Sequence, residues 1–191
     1  VSVETELAAL VATTRGLFAA AACSCALADD DGAGLTFIAA DGAGAEEIVG
    51  VRLPVSRGIV GFVALSGQPI GIGDVARDDR FARDIAESTR YVPTSILAAP
   101  LLDADGEVIG VLEVLDPTRG EDESRLGGRR GTAAELAALT VVASQAAAVV
   151  RLARRAAPGG SALEDVLDGL DDLDQRVVVQ VLDAVLERVR R

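Results

Sequence analysis

The residues best equipped for chemistry fall in one polar stretch near the middle of the chain. Arg80, Phe81, Arg90, Tyr91, Thr94 and Ser95 bring guanidinium forks, aromatic surface and hydroxyl groups into a short span. A mostly apolar cavity needs only a few such groups to orient a small molecule. The same residues fit a structural account, in which Phe81 and Tyr91 anchor a long connection to the core and the arginines stay solvated. Asp74 stands just before this stretch, after a short apolar run, where an aspartate caps nearby backbone N–H groups in preference to touching a ligand. Glu113 is different. Alternation along Val108–Leu115 sets it on one strand face with Ile109, Val111 and Leu115, where a carboxylate is costly unless paired. Either that face is a pocket wall, or Glu113 meets an arginine.

Other chemistries find less support. With no histidine in the chain, a histidine general acid or base is excluded, and no spacing sets two carboxylates against each other. The acidic runs Asp29-Asp30-Asp31 and Asp171-Asp172-Asp174 lack calcium-loop spacing and read as solvated turn or helix surface. Cys23 and Cys25 are two apart in an apolar run, so an extended strand points both the same way, a poor geometry for a disulfide. Burial as small hydrophobes is their expected role, in a reduced cytoplasmic setting. The net charge of −12 disfavours nucleic-acid binding, and the clusters Arg151/Arg154/Arg155 and Arg188/Arg190/Arg191 sit where they complement helix C-termini. The longest apolar run, Leu136 to Val150, reads as too short for a bilayer, so no membrane association is expected. The start lacks the basic region of a secretory leader. Abundant Ala, Gly and Arg with no Lys point to a high-GC bacterial source.

The elements that must position these groups follow from periodicity and turn residues. Thr5–Ala22 has helical spacing at Leu7, Leu10, Val11, Leu17 and Phe18. Ala22–Ala28 and Leu35–Ala40 read as strands around an Asp29–Gly32 turn. Glu46–Val49 makes a helical turn, and Gly58–Leu65 a short helix closed by Gly67 in a left-handed conformation. Pro69–Ile72 is a short strand, and a short helix is expected within Asp78–Tyr91. Ser95–Leu102 and Glu107–Leu115 form a hairpin about Asp103–Gly106, with Pro100 at a bulge, strand end or unpaired edge. Asp116–Gly131 reads as a surface loop. Thr132 and Glu135 form a capping box for a long helix to about Arg155; Pro158-Gly159-Gly160 is a linker, and Ser161 with Glu164 opens a helical tail. This order predicts an α+β fold, an antiparallel sheet with helices packed on it plus a C-terminal helical extension. Residues 1–157 form the main domain and 158–191 the linker and tail. Neither Gly58-Ile59-Val60-Gly61 nor Gly71-Ile72-Gly73 matches a P-loop or dinucleotide fingerprint.

In sequence order, several of these pieces resemble the GAF domain family. Leu53 to Ile70 resembles the family's glycine–apolar–apolar–glycine short helix and the Gly-x-Pro that ends it; Asp74-Val75 with Asp78-Asp79-Arg80-Phe81 resembles the stretch that follows. Ser95–Pro100 with Gly106–Leu115 resembles the central hairpin, and Gln145-Ala146-Ala147 the last helix. The resemblance implies a ligand held between one sheet face and the flanking connections, and pairing through terminal helices that pass on a signal. Specialised members are not matched. Histidine-ligated haem has no ligand here, the residue set associated with cyclic nucleotides is absent, and no cysteine lies where tetrapyrroles attach or where free methionine sulfoxide reductases need one. The residues name no cofactor.

The long helix is apolar around most of its circumference, with Leu136, Leu139, Val142, Val149 and Leu152 on one broad face. A helix so poor in polar surface should be covered on both sides. The sheet supplies one cover, and a homodimer through this helix and Leu7, Leu10, Val11 and Phe18 of the first supplies the other. Leu163, Leu170 and Val177 continue a heptad stripe in the tail, which pairs with its twin or folds back on its own domain. The expectation is a small-molecule sensor whose output is a protein partner or a further part of the protein. A ligand-free dimerisation or protein-partner scaffold is the alternative.

Overall fold

The computed structural model describes residues 2–118 and 133–156. The chain divides into two compact units, Val1–Arg151 and Leu152–Arg191; of the second, only the end of the long helix is described. The residues given to the 119–131 loop, the Thr132 cap, the linker, the tail with its heptad stripe and the Asp171 cluster lie outside the described residues, as do Arg188, Arg190 and Arg191.

Ser2 accepts a hydrogen bond from the Thr5 backbone N–H and starts helix α1 (Val3–Leu17). The helix stops sooner than its apolar spacing suggests. Ala19 takes a positive φ of 44°, and Ala20 begins strand β1 (Ala20–Ala28). Alanine prefers helix, but here Ala20 pairs with Pro117 and Ala22 lies between Gly42 and Leu115, so tertiary pairing overrides local propensity. Strand β2 (Gly34–Gly42) returns through a turn in which Gly32 has φ 65°. Helix α2 (Ala45–Ile48) follows, then strand β3 (Arg52–Pro54), which the sequence did not announce. Next come helix α3 (Gly58–Ser66), strand β4 (Ile70–Ile72), a 3-10 turn over Val75–Arg77 and helix α4 (Arg83–Ser88). Strands β5 (Ile96–Leu102) and β6 (Val108–Pro117) form the hairpin, and helix α5 spans Ala133–Ala156.

The six strands form one antiparallel sheet in the order β3-β2-β1-β6-β5-β4. Both of its faces are covered. On one, Leu7 and Val11 of α1 and Leu139, Ala143, Ala146, Ala147 and Val150 of α5 pack on Cys23, Cys25, Leu112 and Val114. On the other, Ile59, Val60 and Val63 of α3 pack on Leu35, Phe37, Ala98 and Val111. This is why β1, β5 and β6 read as nearly continuous apolar runs. Pro100 lies past Ala98, the last β5 residue that β4 reaches, so its missing N–H deprives no ladder on that side. A register shift at Leu101/Leu102 faces the β6 segment Val108–Gly110. It turns Ile109 to the α1/α5 side, away from Val111 and Glu113, correcting the strict alternation expected there.

The helices correct the sequence reading in two ways. The buried stripe of α5 centres on Leu139, Ala143, Ala146 and Val150, with Leu136, Val142 and Val149 at its margins. On α1, Leu7, Val11 and Phe18 are covered by the chain's own sheet, so they are not free to meet a second copy. Leu17 (69% exposed) and Val141 of α5 (63%) remain open. The expectation that no segment is long enough to cross a membrane was also too strict. Ala133–Arg154 has the length and composition, with a mean hydropathy of 1.7, although one face of it is the core stripe just described.

The glycine motif that opens α3 has a steric cause. Gly58 has φ 73°, and a Cβ on Gly61 would stand far inside contact distance of the Val55 carbonyl oxygen. We expect Gly61→Ala to lower stability by about 1–3 kcal/mol. Gly16 of α1 has open space around it and no positive φ, so Gly16→Ala should raise stability by about 0.5–1 kcal/mol. Thermal melts of the two variants check the opposite signs.

Candidate functional site

Between the α3 face of the sheet and the connections that carry α2 and α4 lies a cavity of about 90 Å³. Phe37, Ala40 and Ile96 form part of its floor, Ile59 and Val60 one wall, and Phe81, Ile85, Tyr91 and Pro93 another. Gly44 lets the α2 connection close over it: its φ is 72°, and a Cβ there would come within 2.9 Å of the Thr89 carbonyl oxygen.

Among the described residues, Glu113 is the one acidic or basic side chain in this lining. It is 8% exposed, and burial pushes its carboxyl up to about 7. Its neighbours across the sheet are Ser24 of β1 and Ala98 of β5. Ser24 is itself 6% exposed and lines the same cavity. Among the described residues, no hydrogen bond or ion pair reaches the Glu113 carboxyl or the Ser24 hydroxyl. Two adjacent buried polar groups thus end in a cavity without partners, an arrangement that costs folding free energy. Among the described residues no arginine partners Glu113, and its face forms part of the cavity wall. Ser24 was missed, but a signal existed. With Cys23 and Cys25 turned to the α1/α5 side, the residue between them must face the other way, beside Glu113.

The loop residues divide. Phe81 and Tyr91 line the cavity. Arg80 does not: it holds Asp78 at 2.6 and 2.8 Å and lies 4.3 Å over the Phe62 ring, in a separate outer recess. Arg90 has φ 58° and points outward, 3.7 Å from Glu47. Asp74 accepts from the Ala76 N–H at 3.1 Å, the capping role expected of it. Thr94 and Ser95 turn to Asp116, which is not in a surface loop but lies at the end of strand β6. One Asp116 oxygen accepts from the Ser95 N–H at 2.8 Å, the Thr94 N–H at 2.9 Å and the Thr94 hydroxyl at 2.6 Å; the other takes the Tyr91 hydroxyl at 2.6 Å. Burial opposes its charge, but the bonds from Thr94, Tyr91 and Ser95 win and hold the carboxyl below its ordinary value. Tyr91 is pushed up to about 12, by burial and then by that bond. Both thiols are also raised by burial, Cys25 to about 12.

The GAF domain family model matches residues 2–150. The chain belongs to the GAF domain family. Such domains are typically non-catalytic regulatory modules. A 71-residue segment, 37% of this chain, is 41% identical to the dual 3',5'-cyclic-AMP and -GMP phosphodiesterase 11 of Drosophila melanogaster, but covers 5% of that protein. The fold is similar to the GAF domain of an Acinetobacter phosphoenolpyruvate-protein phosphotransferase, with a TM-score of 0.66 and 22% identity over 81% of this chain and 85% of that one. It is also similar to the free methionine-R-sulfoxide reductase of Neisseria meningitidis, solved with its substrate, at 0.63 and 19% over 82% of each chain.

Two outcomes follow from the geometry. Glu113 binds its proton more tightly folded than unfolded, so its stabilising contribution is full below about 4.5 and is lost as pH rises through about 7. Tyr91 in the lining and the neighbouring Cys23, whose side chain lies on the α1/α5 side, ionise far above that window. Glu113→Gln should therefore be more stable than the parent at pH 8, by about 3 kcal/mol, with the difference closing toward pH 4.5 in melts across that range. Asp116→Ala should cost about 2–4 kcal/mol and speed tryptic cleavage after Arg90, whereas Asp116→Asn, which keeps acceptors and tolerates φ 47°, should cost less.

Proposed function

We propose that this GAF domain is a signal-sensing or regulatory module that binds a small molecule in the Glu113 cavity and pairs with a second copy through α1 and α5. The observation that carries the first part is the buried Glu113–Ser24 pair, whose side chains have no partner among the described residues, at the end of a mostly apolar space. A scaffold without a ligand gains nothing from that pair, and it would fill the space with Phe81 and Tyr91, which instead stand at its walls. Within the sequence-derived set, Glu113, Phe81 and Tyr91 are the direct ligand contacts. Thr94 and Ser95 act through Asp116 by fixing the loop that carries Tyr91, while Arg80, Arg90 and Asp74 shape the outer surface.

The pairing rests on Leu17, Val141 and the alanine-rich outer faces of the two helices, whose small side chains allow close approach. Regulation, not catalysis, is the role: Cys23 and Cys25 pack with Leu7 and Val11 across the sheet from Glu113, and buried free thiols suit a reducing, cytoplasmic setting. Native mass spectrometry of protein purified from its own host should show a retained small molecule, and light scattering at tens of micromolar should give twice the chain mass. A bare chain mass in the first measurement and a monomer in the second would remove the two halves of the proposal separately.

A further inference from the structure

We propose that the cavity recognises a compact primary amine with an aliphatic or aromatic body, its nitrogen seated between the Glu113 carboxylate and the Ser24 hydroxyl. This rests on the small-molecule reading above and narrows it to one ligand class. Among the described residues the lining holds no arginine, so none of them neutralises an anion there, and a carboxylate or phosphate ligand would face Glu113 directly. A pure hydrocarbon would leave both polar groups unsatisfied. A protonated amine brings three donors and the opposite charge to two acceptors that have no other partner among the described residues. Residues directly opposite in an antiparallel pair have Cβ atoms about 4.5–5.5 Å apart, and Ser24 and Glu113 are such a pair, leaving a gap suited to one nitrogen. The ligand's size is bounded too. The space of about 90 Å³ is well below the roughly 300–1,000 Å³ of pockets that hold drug-sized ligands, which favours a body no larger than one ring or a short chain. Phe37, Ile59 and Phe81 receive the body by contact and desolvation.

Calorimetric titration at pH 7.5 with benzylamine, benzyl alcohol and benzoate, three probes of nearly one shape, tests the assignment. Benzylamine should bind at least tenfold more tightly than benzyl alcohol, with benzoate weakest. Glu113→Gln keeps the side chain's shape and should lose that preference for benzylamine while retaining benzyl alcohol; Ser24→Ala should weaken benzylamine by a smaller factor. Benzyl alcohol or benzoate binding as well as benzylamine would overturn the amine assignment and leave the small-molecule cavity standing. So would an unchanged benzylamine affinity in Glu113→Gln. Failure of all three probes would also overturn the assignment, and the retained-ligand measurement on host-purified protein then decides the broader reading by itself.

Discussion

A sheet covered on both faces has no inexpensive position for a carboxylate, and β6 places one near its middle. Everything around Glu113 follows from that constraint. Its strand neighbours are Ser24 and Ala98, small residues that leave room in front of it. The residues two positions away along β6, Val111 and Leu115, belong to the same dry face. Hydrophobic burial could have been larger here with a leucine, so the cavity and its acid are a departure from packing that the rest of the core offsets. Such departures are where ligand sites are found in otherwise well-packed domains.

A second constraint fixes the loop above the cavity. Asp116 adopts a positive φ at the end of β6, uncommon for a residue with a side chain. In that conformation it gathers the Thr94 and Ser95 N–H groups and the Tyr91 hydroxyl. One carboxylate thereby joins the last strand of the hairpin to the wall of the cavity. Asp29 performs a similar service at the opposite edge of the sheet, where it ties Thr36 and Arg52 across the β1–β2 turn.

The sequence carried the strands and the hairpin turns well because their signals are local: Asp-Gly turns, alternation, and a glycine closing α3. It misplaced the end of α1 because an alanine run favours helix until β2 and β6 are there to pair with it. It gave β3 no signal, since three residues with one buried side chain, Leu53, make no period. Glu113 stood out because a charge in an apolar alternation is a contradiction visible from one strand alone. Asp116 did not. Its role depends on partners more than twenty positions away, and nothing in an Asp-Pro at the start of a polar loop announces them. Arg80 and Arg90 misled for the complementary reason: charge alone does not say which way a side chain points, and near acidic neighbours both found partners outside.

Beside Leu139 and Val150, part of the contact between α5 and the sheet is made by residues with no side-chain torsion to spare. Ala143, Ala146 and Ala147 meet a layer that includes Ala20, Ala39 and Ala99. Longer side chains absorb a small shift of a strand by changing rotamer, and the element behind them stays where it was. Methyl groups have no such slack. A displacement of β1 or β6 that reached these methyl contacts would have to move α5 as a body, as in a gear train cut without backlash.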